Sequence, residues 1–511
     1  MIKSKWLNFD WRIATVGGIT LFIIFSLAYL FLGQPNADEG WYLYASKLVF
    51  EGEIPYRDFA YTQTPLLPYI YGLPQVLLQP SIYLGRATSV ALSIGNLLLC
   101  ITLACRYAGE RGAGFAALLL SLFTYGIYFA SIVKTYALLS LLFTLTFFVL
   151  SSKNPGTLKY PLAVVLSFGA AMVRLSAVLF LIPIAIYSLA SALREKTKGT
   201  FILVTLTCMG LTIGALLFFY SSDLESVKWN LLVHHIEQWG GISAAGKVEQ
   251  VLSVRIPQLI ETFDYFVFGL FPISILALRD GKSRTRTKTY LRRNSPIWVV
   301  GIGLALFSIS HFATGGWHVE YFVPALMSFL PIVAIAFSKV YDLQKSFASR
   351  VLLQIVLFII LLVAPLHHNV VHIDMSGKEL PLEEIREVSA SISRLSGPSD
   401  RLFVLEALWT AIDSNRSVMP GMTMAQFSYQ DMSREMAERI RLVNGEIVLE
   451  YINNCSAKVV VLTDLDWGMF RGTGYDELIR QALFSHYNLV LTRGAFGQGS
   501  NNVDLYLCRS Y

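Results

Sequence analysis

Runs of apolar residues long enough to cross a bilayer core as helices, about 20 residues each, recur along this chain from Ile13 to about Pro365 with short polar breaks. That recurrence predicts a polytopic α-helical membrane protein of about eleven spans, at 13–33, 65–80, 83–104, 113–131, 133–151, 160–190, 200–220, 262–278, 296–314, 320–338 and 351–366. Of the 511 residues, 54% are hydrophobic and 15% charged, which excludes an ordinary soluble protein. Only the part from about Met375 onward has soluble composition, so the expected domains are a membrane domain, 1–374, and a small extracytoplasmic α/β domain, 375–511. The first run follows Lys3, Lys5 and Arg12, is too long for a signal-peptide core and has no small-residue cleavage site after it, so it reads as a retained span.

The formal charge of +6 does not point to nucleic acid, because the basic residues gather between spans, above all from Arg279 to Arg293. Such loops face the cytoplasm. With the amino terminus inside, the loops holding Arg194, Lys196 and Lys198, Arg279 to Arg293, and Lys339, Lys345 and Arg350 are cytoplasmic. The Asp38-Glu39 loop, the 221–261 loop, Gly315 to Glu320 and the carboxyl-terminal domain then share the outer face of the cell membrane. Arg106, Arg111, Lys153 and Lys159 run against this arrangement.

In the carboxyl-terminal part, hydrophobic periodicity predicts helices at 381–395, 432–443 and 475–486 and strands at 401–405, 458–462, 488–492 and 503–508. Asp464 and Asp466 form an acidic D-x-D after a strand, but no glycine-rich nucleotide turn accompanies it, and it reads as a strand-end loop. The sequons at Asn415 and Asn454 are too short a pattern to carry weight. Cys100, Cys105 and Cys208 fall in or beside spans as small buried residues, whereas Cys455 and Cys508 are able to pair in an oxidising compartment. Adjacent His234 and His235 point to different helix faces, so the stretch with Glu237, Trp229 and Trp239 reads as an interfacial helix rather than a zinc site.

The chemistry-bearing stretch runs from Pro35 to Pro74. Asp38 and Glu39 stand where the first span emerges, followed by Trp41, Tyr44, Ala45, Leu48 and Val49 at helical spacing up to Gly52, as in a short amphipathic helix lying on the membrane. Successive carboxylates diverge, so they take separate jobs: one a general base, the other orienting it, pairing with Arg57 or helping to hold a cation. A helix cap and first-turn dipole partner explain the same two residues. Pro65, Pro68 and Pro74 break the second span, a break tolerated where backbone lines a cavity. Arg174 inside an apolar run requires a cavity or an acidic partner, and His318 lies at an outer boundary. Arg86 and Lys134, at predicted inner ends of spans, read as snorkelling anchors. A carboxylate base with buried cations suits sugar transfer from a lipid phosphate, whose leaving group is an anion and whose acceptor is a hydroxyl.

The motifs N-A-D-E-G-x-Y from Asn36, E-G-E-I-P-Y-R-D-F from Glu51 and T-P-L-L-P-Y from Thr64 resemble the first outer loop of the GT-C superfamily of integral-membrane glycosyltransferases, near protein O-mannosyltransferases and lipid A aminoarabinose transferases. The stretch Gly315-Gly-Trp-His318-Val-Glu320-Tyr321-Phe-Val-Pro324 is similar to a later outer loop of that family, where a basic residue approaches the donor phosphate. The resemblance implies a polyprenyl-phosphate-sugar donor, a hydroxyl-bearing acceptor (protein, lipid or envelope polysaccharide) and inversion at the anomeric carbon. Asp38 becomes the base and Glu39 its neighbour, with Arg57, Arg174 and His318 toward the phosphate and Tyr42, Tyr56, Asp58, Glu320 and Tyr321 as candidate substrate contacts. Departures fall at Gln63-Thr64, where aminoarabinose transferases have a lysine, and at Lys134-Thr135-Tyr136, where many relatives carry an acidic residue. A divalent cation, magnesium or manganese, therefore stays open. A transporter or flippase of lipid-linked saccharide would show paired halves, and no second copy of the 38–71 pattern exists; an inactive scaffold would lose its need for Asp38.

Overall fold

A computed structural model describes residues 10–152, 158–194, 198–237, 242–264, 287–343, 380–498 and 501–509. Most of the span expected at 262–278, the span at 351–366, Arg279 to Arg286 and Trp239 lie outside the described residues. Among those described, six helices are long and apolar enough to cross a membrane, or seven if one bent pair is a single span.

Helix α1 (Trp11–Leu32) packs along α4 (Ile82–Leu122), and a Cβ on Gly18 would fall 2.6 Å from the Ala117 carbonyl carbon. Only a hydrogen fits there. α4 is two helices folded back at Gly109, whose φ of +66° suits glycine. Arg86 in the first half meets the carbonyls at the carboxyl end of α1, while Gly114 in the second half sits against Trp11 at its other end. α5 (Thr124–Ser131) continues the second half, and α6 (Thr135–Leu150) turns back by 110° after a three-residue break.

The sequence places one span at 65–80 and one at 160–190, and the structure corrects both. α3 (Leu66–Leu77) lies beside α2 (Ala37–Phe50), with Gly72 against the Ser46 carbonyl and the Phe50 ring. Both ends of its segment abut the carboxyl-terminal domain: Ala60 packs with Met424 and Leu442, and the Ile82 N–H donates to Asp413. A helix of 12 residues is about 18 Å long, too short to cross. Its exposed Leu73, Val76 and Leu77 form an apolar face for lipid. Conversely, 160–190 is a hairpin of α7 (Lys159–Val173) and α8 (Val178–Arg194), with Tyr160 and Tyr187 paired at its open end and Arg174 in the extended turn. Arg174 is therefore at a helix end, not at mid-membrane.

These corrections cancel in later parity and remove the charge conflict. The Arg106–Arg111 break joins the amino-terminal end of α1 through the Arg12–Glu110 pair, and Tyr107 bonds Ser151 at the next break, so both basic breaks share that face. α9 (Lys198–Ser221) and the helices Thr287–Ser310 and Val323–Leu343 complete the described bundle. The segment after α9 is helical, but Trp229 does not sit at headgroup depth: it is buried with Ala60, Met424 and Ile440.

The carboxyl-terminal domain holds a five-stranded sheet in the order β2-β1-β3-β5-β4. β1 (Arg401–Val404), β2 (Ser417–Val418) and β3 (Val459–Thr463) are parallel; β4 (Tyr487–Phe496) and β5 (Asn501–Cys508) close one edge antiparallel. Helices Pro381–Leu395 and Asp476–His486 form as expected, whereas 432–443 holds only the short helix Arg434–Arg439. Helices Trp409–Asp413, Gly445–Asn453 and Asp464–Phe470 were not expected. The D-x-D opens the last of these, with Thr463 and Asp466 in a capping box. Cys455 and Cys508 are joined as a disulfide.

Candidate active site

Asn36, Asp38 and Glu39 lie at the amino end of α2. The Asn36 side chain accepts from the Asp38 N–H, and Glu39 accepts from the Asn36 N–H, so the capping-box reading holds. Glu39 is fully buried and does not pair with Arg57. It takes Arg86 through both oxygens, at 2.6 and 2.8 Å, and accepts from the Val133 N–H at 3.1 Å. Arg86 spends its remaining donors on the carbonyls of Tyr29, Leu30, Gly33 and Gln34. It is no snorkelling anchor; a wholly buried guanidinium with a bidentate carboxylate ties α1, α2, α4 and the α5–α6 break together.

Asp38 faces the other way and remains partly exposed. Trp41 Nε1 donates to its Oδ1 at 3.1 Å, and Lys134 Nζ lies 3.0 Å from its Oδ2. The same ammonium is 3.4 Å from Glu320 Oε1, which His318 Nδ1 approaches at 3.8 Å. Lys134 is thus a second correction: it is buried on the Asp38 face, not anchored at the opposite surface. Burial pushes the Asp38 carboxyl up, but Lys134, Trp41 and His318 outweigh it and hold the group below the ordinary carboxylate range.

Arg174, at the α7–α8 turn, lies over the Tyr321 ring at 4.1 Å and makes no ion pair among the described residues. Tyr42, stacked on Trp41 at 3.8 Å, lies within the electrostatic reach of both Asp38 and Arg174. The structure therefore brings together Asp38, Tyr42, Arg174, His318, Glu320 and Tyr321. It does not bring in the rest. Arg57 and Asp58 pair with each other at 2.8 Å toward solvent, and Tyr56 is buried with its hydroxyl donating to the Gln63 carbonyl.

Sequence reasoning missed Lys134 and Trp41 as parts of this group. A signal for Lys134 existed: a proline-broken 65–80 segment that does not cross puts the 131–134 break on the Asp38 face. Among the described residues no three His, Cys, Asp or Glu side chains are grouped to hold a metal ion. Asp38 and Glu320 have a lysine ammonium between them.

No protein-family model matches the chain, and no curated protein does. Among solved structures, ArnT from Cupriavidus metallidurans bound to undecaprenyl phosphate superposes with a TM-score of 0.59 at 12% identity, over 96% of this chain and 98% of that one. The same protein in the apo state matches equally. An oligosaccharyltransferase from Archaeoglobus fulgidus tethered to an acceptor peptide matches at 12% identity and a TM-score of 0.48, over 94% of this chain and 73% of that one. Along nearly its whole length this chain therefore shares the fold of ArnT, the GT-C fold.

Proposed function

We propose that this protein moves a sugar, with inversion, from a polyprenyl-phosphate donor to a hydroxyl acceptor at the outer face of the cell membrane. The observation that carries the reading is the juxtaposition of a partly exposed carboxylate kept ionised, Asp38, with a cation that has no carboxylate partner among the described residues, Arg174. In the proposed step the acceptor oxygen attacks the anomeric carbon from the side opposite the phosphate. The carbon–oxygen bond to phosphate breaks with its electron pair going to the phosphate oxygen, and the acceptor proton passes to Asp38. Arg174 and His318 meet the charge that grows on the leaving phosphate. Glu39 acts one layer back, holding the turn that carries Asp38. Residues 1–374 form the catalytic part, and residues 375–511 cover its outer face. The ArnT match bound to undecaprenyl phosphate supports a lipid-linked donor.

Purified protein is expected to release polyprenyl phosphate from a polyprenyl-phosphate-sugar and to glycosylate an acceptor, with turnover falling at least about 100-fold in Asp38→Asn. A folded Asp38→Asn protein with full activity would remove the base assignment. Movement of uncleaved lipid-linked sugar across vesicles would replace the transferase with a flippase.

A further inference from the structure

Asp38 and Glu320 face each other across the site, and a divalent cation shared by transfer chemistry would sit between them. Lys134 Nζ holds that seat, 3.0 Å from Asp38 Oδ2 and 3.4 Å from Glu320 Oε1. The ammonium is fixed there. Lys134 is 5% exposed, and its charge lies against the Phe129 and Tyr136 rings, 5.4 and 5.6 Å from their centres. Its backbone stands in the α5–α6 break, which the bond from Val133 N–H to Glu39 pins to the buried Arg86 pair. A magnesium or manganese ion ligated by the same oxygens would sit about 2.0–2.2 Å from them, so it would have to share with the Nζ ammonium the space between the two carboxylates. Two positive centres sharing that space repel strongly even at an effective dielectric of about 20. The residues present therefore do not fit a divalent cation.

We propose that Lys134 is a built-in cation standing where a metal ion would otherwise be held, so that this chain works without a divalent metal. As a positioning residue it aims Asp38 and keeps it unprotonated, while Glu320 holds the ammonium from the far side and His318 stands next to Glu320. The group's cation is then part of the chain, present in every molecule and not subject to loss. The role of Lys134 in turnover rests on the transfer reading; the exclusion of metal does not.

The test is Mn2+ titration of the full-length protein in detergent, followed by electron paramagnetic resonance, beside turnover in EDTA and its pH profile. Wild-type protein is expected to take up no Mn2+ that depends on Asp38 or Glu320, and to keep its turnover in EDTA. Lys134→Ala is expected to bind Mn2+, to lose that site again when Glu320→Gln is added, and to shift its acidic limb upward. Lys134→Arg, which keeps the charge, should stay free of Mn2+ and keep the limb in place. Mn2+ bound to wild-type protein and released by Asp38→Asn or Glu320→Gln overturns the proposal, as does turnover that collapses in EDTA and returns with Mn2+, or a folded Lys134→Ala that takes up none. Wild-type protein decides the matter even where Lys134→Ala does not fold. Absence of sugar transfer in every variant would count against the transferase reading and leave the Mn2+ result standing.

Discussion

At the scale of single residues, the adjacent carboxylates Asp38 and Glu39 have opposite environments. Glu39 is sealed against Arg86, and removing one partner of a buried pair leaves the other charged and unmatched. Arg86→Ala is therefore expected to destabilise the protein by about 3–5 kcal/mol, read as a lowered unfolding midpoint, whereas Asp38→Asn should leave that midpoint nearly unchanged. Asp38 is the group to follow by pH. Its carboxyl lies below the ordinary range because Lys134 outweighs burial, so the base is present at neutral pH and is lost only as the solution becomes strongly acidic. Lys134→Gln removes the main opposing charge and leaves burial, so the acidic limb of the rate profile should move to higher pH. That the two acids face different ways was legible in the sequence, since successive residues on a first helical turn diverge. Their partners were not, because Arg86 and Lys134 are 47 and 96 positions from Glu39 and Asp38 in the numbering and only the folded bundle decides which side each faces.

At the scale of elements, length and breaks decided what hydropathy alone misread. The 65–80 segment is apolar enough to span, yet its prolines and its contact with α2 make it a short surface helix. The 160–190 segment is apolar throughout, yet Arg174 marks a turn, because a hairpin end gives its charge a polar neighbourhood that mid-membrane does not. The basic residues that had contradicted the topology, Arg106, Arg111, Lys153 and Lys159, were the available sign that a span had been misplaced before them. The close approach of α2 and α3 offers an element-scale test. Gly72 has the Ser46 carbonyl 2.6 Å and the Phe50 ring 2.5 Å from where a Cβ would stand. Gly72→Val should push α3 off α2, costing about 1–3 kcal/mol, and should lower turnover through the loop between them. Gly52→Ala, with open space around its Cβ, tests backbone strain alone at a φ of +96°.

At the scale of the whole molecule, the carboxyl-terminal domain reaches the helix that carries Asp38. Trp409 Nε1 donates to the Asn36 carbonyl at 2.9 Å, Gln498 accepts from the Ala37 N–H at 2.9 Å, and Gly40 lets the Leu408–Trp409 backbone lie against α2. The soluble composition and most of this domain's sheet were readable in the sequence. This docking was not, because it depends on single hydrogen bonds between distant segments. Just before Trp409 stands Glu406, buried with its carboxyl pushed up to about 7, chiefly by burial; Asp466 beneath it is pushed up to about 6, again by burial. Folded-state values raised above the unfolded ones mean that the folded protein holds protons the unfolded chain has released. The contribution of these groups to stability is therefore full only below the unfolded values of 4.5 and 3.8, and is lost progressively as pH rises to the folded values of about 7 and about 6. Full-length protein followed by tryptophan fluorescence should melt at a lower temperature at pH 8 than at pH 5.5, once the opposite contribution of Asp38 has saturated. Glu406→Gln, which stays neutral and keeps an acceptor for the Thr463 hydroxyl, should flatten that slope. A slope unchanged by Glu406→Gln would assign the pH dependence to other groups and separate the acid cluster from the docking of Trp409 on α2.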